Sequence, residues 1–149
     1  MRAGGERDRG WVYDLGRRTA PSSVSEFRVP DPKTLEASFD RLFEFAFGQS
    51  HVLLVAEEDG APLGFVLFLD RLLDEVSGSV QAFVVYVAVE PYARRRGIGK
   101  ALMLAAEEAA RERRLGYVSF MVTEDNLEAR ELYAHLGYRT ERRQLCKPL

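Results

Sequence analysis

Apolar residues recur at steps of three and four in three parts of the chain, a period typical of helices buried on one side. The first part begins at Asp31-Pro32 and is expected to end at Gly48. The second runs along one face from Ile98. The third follows Asn126, a residue type that caps helices, and Gly137 is its stop signal. The pattern therefore predicts three amphipathic helices.

Three runs rich in β-branched and aromatic residues lie between the first two predicted helices. Residues 51–57 and 62–69 are separated by Asp59-Gly60, a typical hairpin signal, so we expect antiparallel neighbours. Gln81–Val89 ends before Pro91, as expected for a central strand. Two more strands are predicted at Tyr117–Val122 and from Tyr138 to about Cys146. The series favours an α/β (α+β) fold with a mixed sheet.

Residues 1–30 have no clear period, because Gly16, Pro21 and Pro30 interrupt any pattern. Trp11-Val12-Tyr13 predicts a short first strand, with a flexible tail as the alternative. We therefore expect residues 1–30 to be an N-terminal extension or first-strand region, followed by a single domain over 31–149.

The composition suits one soluble domain: 149 residues, 46% hydrophobic, with a formal net charge of −2. No apolar run approaches the roughly 20 residues of a membrane span, and residues 1–18 lack the apolar block of a secretory signal. We expect a cytoplasmic protein without a membrane partner. The single cysteine, Cys146, and the two histidines, His51 and His135, lack metal-site spacing, so no metal is expected.

An arginine-glycine turn, Arg94-Arg95-Arg96-Gly97-Ile98-Gly99, joins the strand end Val87-Ala88-Val89 to the second helix. Glycines let successive N–H groups turn inward, and a helix N-terminus adds partial positive charge. The turn is therefore suited to a pyrophosphate. It is not a P-loop, because Ala101 follows Lys100, and it is not a dinucleotide fingerprint, because Leu102 replaces the third glycine.

The turn instead matches [QR]-x-x-G-x-[GA]. A second motif, Asn126-x-x-Ala129-x-x-x-Tyr133-x-x-x-Gly137-Tyr138, follows one helix and one strand later. With both motifs in this order, the chain resembles the GNAT superfamily of acyl-CoA-dependent N-acyltransferases over about Gln81 to Tyr138. The resemblance implies the GNAT fold, a mixed, mostly antiparallel twisted sheet flanked by helices.

The resemblance also implies acetyl-CoA as cofactor and co-substrate. The backbone of Val87, Ala88 and Val89 would pair with the pantetheine arm as another strand would, and Asn126 would contact the same arm. Main-chain N–H groups of the turn would hold the pyrophosphate. The residues implied for that role are Arg95, Arg96, Gly97, Ile98, Gly99 and Lys100, and Arg94 is implied as a further cofactor-binding residue.

Tyr133 stands at the position that commonly serves as general acid in this family, donating its phenolic proton to the departing thiolate. A core tyrosine is the alternative. Some members carry a carboxylate on the strand before the turn, but Phe83–Val89 contains none. Glu90, Asp125 and His135 are conceivable substitutes, and Tyr86 could order water or line the acceptor slot. No base is assigned.

Together these features predict transfer of an acetyl group from acetyl-CoA to a primary amine of a small molecule or peptide, by direct attack in a ternary complex. The acidic residues between positions 57 and 75 suggest a cationic acceptor. The alternative function is a non-catalytic acyl-CoA-binding sensor or regulatory module. No nucleic-acid partner is expected, because Arg94–Arg96 lacks interleaved aromatic residues. A homodimer is left open.

Overall fold

The computed structural model describes residues 1–149 and contains one sheet whose five strands lie side by side in chain order. All neighbouring strands are antiparallel except β4 and β5, which are parallel. The expected mixed, mostly antiparallel sheet is confirmed. The strands are β1 (Arg2–Ala3), β2 (His51–Glu58), β3 (Ala61–Leu73), β4 (Val80–Val89) and β5 (Val118–Phe120).

Four helices cover the two faces of the sheet and create two cores. On one face, α1 and α2 bury Phe43 against Phe65 of β3. On the other face, α3 buries Leu102 and Met103 against Phe68, and α4 packs at the edge of this second core. The helices are α1 (Arg9–Thr19), α2 (Pro32–Phe47), α3 (Ile98–Glu112) and α4 (Leu127–His135).

The turn between β2 and β3 has the backbone of a hairpin. Asp59 and Gly60 both have positive φ, 50° and 80°, as a type I′ turn requires. The antiparallel register runs from His51 opposite Leu69 to Glu58 opposite Ala61. The hairpin prediction is therefore confirmed, as are the three predicted helices.

The predicted strand at Trp11–Tyr13 is wrong, because these residues lie in α1. Val12, Leu15 and Thr19 are buried at the three- and four-residue spacing of a helix. This period outweighs the β propensity of Trp-Val-Tyr. The first strand is instead Arg2–Ala3, at the border of the sheet beside β2.

The predicted last strand, Tyr138 to about Cys146, is also wrong, because residues 138–149 contain no helix or strand. After Tyr138 the segment offers little apolar surface to bury, and Leu145 is exposed. Arg142 instead forms an ion pair with Asp74. No helix of the chain combines the length and the apolar character that crossing a bilayer requires.

Candidate active site

The parallel pairing of β4 with β5 stops early and opens the sheet. Val84 is the last β4 residue paired with β5, opposite Phe120. In the register with β3, Leu67 faces Tyr86 and Phe68 faces Val84, so Val85 between them forms a β-bulge. A bulge bends its strand and increases the local twist. Residues 86–89 therefore continue beside a cleft between β4 and β5.

Beyond the bulge, the main-chain polar groups of β4 point alternately toward β3 and toward the cleft. The N–H of Glu90 donates to the carbonyl of Leu63 on the β3 side, at 2.8 Å. Because hydrogen-bonded positions alternate in an antiparallel ladder, the polar groups of Ala88 also face β3, whereas those of Val87 and Val89 face the cleft. On the cleft side of β4, the main-chain N–H and C=O groups of Val87 and Val89 are thus free to form hydrogen bonds with a ligand.

The segment after β4, which we call the Arg-Gly loop (Arg94–Lys100), is lined by main-chain N–H groups. Arg95 and Gly97 have positive φ, 63° and 78°. The N–H groups from Arg95 to Lys100 donate to no acceptor in the protein, and Ala101 is the first to bond, to the carbonyl of Gly97 at 3.0 Å. Successive N–H groups at a helix N-terminus form an anion-binding concavity.

The two glycines of the loop keep its surroundings open. A Cβ at Gly97 would meet no atom within 4 Å. A Cβ at Gly99 would lie 3.6 Å from Leu132 of α4 and 3.9 Å from Val89 of β4, both ordinary contact distances. The Arg-Gly loop, the end of β4 and α4 therefore converge around Gly99.

The arginine side chains of the loop are held by other groups. Arg95 pairs with Glu128 at 3.0 Å, and Arg96 pairs with Glu58 at 2.6 Å. The Nε of Arg94 points to the carbonyl of Val89, 3.4 Å away. An anion in the loop would therefore be held first by the main chain. Lys100 forms no ion pair in the protein.

Asn126 is the N-cap residue of α4, and only one of its two side-chain polar groups is used in capping. Its Oδ1 accepts a hydrogen bond from the N–H of Ala129 at 3.2 Å, which caps the helix. The side-chain NH₂ has no acceptor in the protein. This donor is free for a ligand amide in the cleft.

Tyr133 lies on α4 and packs against Phe120, the last residue of β5, with ring centroids 4.3 Å apart. Its hydroxyl has no hydrogen-bond partner in the protein. Burial, with a smaller contribution from the charge that Tyr86 would carry, raises the pKa of Tyr133 to about 12. The phenol is therefore protonated at neutral pH, as a proton donor must be.

Glu90, a conceivable base, is a buried anchor. Its Oε1 accepts from Trp11 Nε1 at 3.0 Å and from Arg18 Nη2 at 2.9 Å, and its Oε2 accepts from Arg18 Nη1 at 3.0 Å. The hydrogen bonds from Arg18 lower the pKa of Glu90 despite its burial. A carboxylate stabilised in its charged form is a weak base, so this residue fixes α1 to the end of β4.

The two other conceivable bases also have local partners. Asp125 accepts a hydrogen bond from the N–H of Glu26, at 3.0 Å, in the connection between α1 and α2. The Nδ1 of His135 lies 2.7 Å from the carbonyl of Glu131 one turn earlier in α4. These contacts do not favour either residue as a base.

Tyr86 projects onto the face of the sheet covered by α1 and α2. Its hydroxyl lies 3.1 Å from the Oγ1 of Thr19 and 3.2 Å from the Oγ of Ser23. The carbonyl of Ser23 in turn accepts from the hydroxyl of Thr123, at 2.6 Å, in the segment after β5. Tyr86 thus connects the mouth of the cleft to the end of α1.

The acidic residues between positions 57 and 75 do not form an acceptor pocket. All of them except Asp59 form ion pairs with arginines. The pairs are Glu57 with Arg2, Glu58 with Arg96, Asp70 with Arg113, and Asp74 and Glu75 with Arg142. The pairs lie at both ends of the β2–β3 hairpin, so their charge is largely neutralised locally and gives no support for a cationic acceptor.

Four residues near the cleft were missed by sequence reasoning: Trp11, Arg18, Thr19 and Ser23. All belong to α1 or to the turn that follows it. The signal that could have found α1 is the helical spacing of its buried residues. Nothing in the sequence pairs Arg18 or Thr19 with β4, because those contacts depend on the tertiary fold.

The residues present fit coenzyme A. The Arg-Gly loop offers free N–H groups to a diphosphate, with open space in front of Gly97. Val87 and Val89 offer a strand edge of the kind that pairs with an extended arm carrying amides. The NH₂ of Asn126 and the hydroxyl of Tyr133 are further donors without partners.

The chain belongs to the acetyltransferase (GNAT) family, whose model matches residues 19–138. A solved structure of a candidate acetyl transferase from Pyrococcus furiosus is 31% identical, covers 97% of this chain and 96% of that one, and has a TM-score of 0.84. The expected family and fold are therefore confirmed.

Three further proteins are similar to this chain. The structure of AAC(6')-Iy in complex with a bisubstrate analogue, CoA-S-monomethyl-acetylneamine, is 17% identical with a TM-score of 0.70 and covers 99% of this chain and 95% of that one. It supports the fold alone. An uncharacterized N-acetyltransferase of Methanocaldococcus jannaschii is 34% identical over 84 residues, 56% of this chain. The match spans 37% of that relative, and 35% of a second curated relative from Bacillus subtilis.

Proposed function

We propose that the chain is an N-acetyltransferase that transfers an acetyl group from acetyl-CoA to a primary amine. The observation that carries this proposal is the convergence of six unpaired N–H groups, Arg95 to Lys100, with the open edge of β4. One part suits a diphosphate and the other an extended amide arm. The helix that carries Tyr133 approaches the same place through Leu132. Bound acetyl-CoA would supply the activated thioester.

The chain's own groups would act by orientation and by hydrogen bonding. The cleft-facing backbone of Val87 and Val89 would align the arm, and free N–H groups of this edge would stabilise negative charge on the carbonyl oxygen. As the amine nitrogen bonds to the carbonyl carbon, the carbon–sulfur bond breaks. Tyr133 would donate its hydrogen to the departing sulfur and regain a proton from solvent.

Deprotonation of the amine is assigned to no side chain. Glu90 is bonded to Arg18 and Trp11, and β4 carries no carboxylate on its cleft edge. We infer that the amine enters as its neutral form and that its excess proton leaves to solvent. The rate then depends mainly on holding two reactants in one cleft.

Binding and chemistry can be tested separately. Gly99→Glu places a carboxylate in the loop, and we expect at least a tenfold loss of coenzyme A affinity, about 1.4 kcal/mol, by calorimetry. Gly99→Ala is the matched control, because its Cβ makes only ordinary contacts. Equal affinity in Gly99→Glu and Gly99→Ala would refute the loop as the diphosphate site.

Tyr133→Phe tests the proton donor. We expect kcat to fall by about 10²-fold, the lower range for general acid catalysis, with an unchanged Kd for coenzyme A. The assay is thiol release from acetyl-CoA with a panel containing spermidine, an aminoglycoside and a peptide with a free N-terminal alanine. An unaltered kcat would make Tyr133 a packing residue.

The second candidate function is an acyl-CoA sensor, and the lack of a carboxylate base favours it. A sensor would bind acetyl-CoA in the calorimeter but release no thiol in response to any amine of the panel. Amine-dependent thiol release by the wild type excludes a purely non-catalytic role.

A further inference from the structure

The Tyr86 ring is fixed on the α1–α2 face of the sheet. It packs edge-on against Phe39, with ring centroids 4.9 Å apart and planes at 85°, and also against Phe43 at 5.9 Å. Its neighbour Val85 is the bulge at which β4 leaves β5. The phenol oxygen is therefore held at a defined place beside the mouth of the cleft.

The direction of the hydrogen bonds around this oxygen follows from Thr19. The hydroxyl of Thr19 donates its single hydrogen within α1, to the carbonyl of Leu15 at 2.8 Å, with that of Gly16 at 3.2 Å. Toward Tyr86 it can then only accept. The Tyr86 hydroxyl must donate to Thr19, and Ser23 must donate to Tyr86.

Two consequences follow for the Tyr86 oxygen. Its only hydrogen is committed to Thr19, so toward a ligand it can only accept, in place of the hydrogen bond from the exposed Ser23. The chain of hydrogen bonds ends at a main-chain carbonyl of α1, which cannot pass a proton on. Tyr86 therefore cannot act as a general base that relays a proton through Thr19.

We propose that Tyr86 is a positioning residue that accepts a hydrogen bond from an N–H of the acceptor amine, and that Thr19 fixes this polarity. The inference rests on the proposed N-acetyltransferase function. Val87 and Val89 turn their side chains to the α3 face and Tyr86 to the α1–α2 face. The amine would thus meet the thioester from the face opposite the Arg-Gly loop.

Support for this placement comes from the opposite side of the cleft. The charge that Tyr86 would carry contributes to the raised pKa of Tyr133, so the two phenols are close enough to interact electrostatically. One would donate to sulfur and the other would accept from nitrogen. A donor and an acceptor on either side of the reacting carbon would orient both reactants.

The test uses four variants and the best amine of the panel named above. Tyr86→Phe removes the lone pair and should raise the amine KM about tenfold. Thr19→Val combined with Ser23→Ala removes both oxygens near the Tyr86 hydroxyl, so its hydrogen can point at the amine, and should do the same. Thr19→Ser keeps the hydroxyl and should stay within twofold of wild type. Ser23→Ala removes only a donor to Tyr86 and should not raise the amine KM.

Coenzyme A affinity and melting temperature are measured on every variant. A merely structural role would change these together with the amine KM, whereas the proposed role changes the amine KM alone. If the double variant does not fold, Tyr86→Phe against Thr19→Ser decides. If the wild type acetylates the amine and Tyr86→Phe leaves the amine KM unchanged, this inference alone is overturned. A wild type that acetylates no amine overturns the proposed function and this inference with it.

Discussion

Arg18 and Glu90 form a bidentate ion pair, with nitrogen–oxygen distances of 3.0 and 2.9 Å. The pair joins the last turn of α1 to the residue that directly follows β4, ahead of the Arg-Gly loop. Trp11 completes the set of donors around the carboxylate. Because Glu90 is buried, any change of its charge must affect both the fold and the loop.

Glu90→Gln is expected to lower the free energy of unfolding by about 1.5–3 kcal/mol, the range for a hydrogen bond to a charged group. The amide NH₂ would face an Arg18 donor. Urea denaturation measures the loss. Glu128→Gln breaks the exposed pair with Arg95 and is the control, with an expected loss below about 1 kcal/mol. Equal losses in the two variants would contradict the anchoring role.

The same pair predicts acid sensitivity. The folded-state pKa of Glu90 is lowered, so its contribution to stability is complete above the unfolded-state pKa and is lost as pH falls through the folded-state value. The melting temperature should therefore drop on acidification, and Glu90→Gln should reduce that drop. An equal drop of melting temperature on acidification in the wild type and in Glu90→Gln would contradict this role of Glu90.

Alkaline pH should destabilise the chain through Tyr133. Its folded-state pKa is raised to about 12, so the buried phenol stays neutral while the unfolded chain ionises from about pH 10. Stability is fully present below pH 10 and falls by up to about 3 kcal/mol as pH rises toward 12. Urea midpoints across this range should show a shallower fall in Tyr133→Phe. The exposed Tyr117 supplies the control variant, Tyr117→Phe.

Gly16→Ala tests the packing of α1 on α2. The added Cβ would lie 2.3 Å from the Cε2 of Phe43, a fully buried ring. We expect a loss of about 1–3 kcal/mol, larger than the roughly 1 kcal/mol that alanine gains in a helix. Gly10→Ala in the same helix meets no atom and should be neutral or stabilising. Thermal melts of both variants give the comparison.

Gly64→Ala tests how β3 supports the cleft edge. Its Cβ would lie 2.7 Å from the carbonyl oxygen of Ala88 and 3.1 Å from Leu102. Since both neighbours are packed, β4 must shift, and coenzyme A affinity should fall together with stability. Gly5→Ala has no close neighbour and serves as the control in calorimetry. Unchanged affinity in Gly64→Ala would show that the position of the strand is not critical.

The sequence was informative where short-range patterns decide the structure. The helical period from Ile98, the Asp59-Gly60 turn and the Asn126 cap all depend on neighbouring residues, and all three are confirmed. Trp11-Val12-Tyr13 and the segment after Tyr138 failed, because burial against distant elements decides the first and the lack of apolar surface decides the second.

In the candidate site, too, features set by local motifs could be predicted from the sequence, whereas features set by tertiary contacts could not. The Arg-Gly loop and Tyr133 are readable because they lie in motifs with fixed spacing. The Val85 bulge is not readable, because it exists only in the register between β3 and β4. The partners of Glu90 and Tyr86 are more than sixty positions away in the sequence, and no local pattern predicts such pairs.

The bulge at Val85 also gives the chain a free strand edge inside its sheet instead of at the border. A free edge at a border can pair with another molecule and lead to aggregation. Here the edge formed by Val87 and Val89 continues a strand that is paired with β3 on one side and, up to Val84, with β5 on the other. One additional residue in β4 thus leaves an interior strand of the sheet with main-chain groups to offer to an extended chain, while its pairing with β3 is kept.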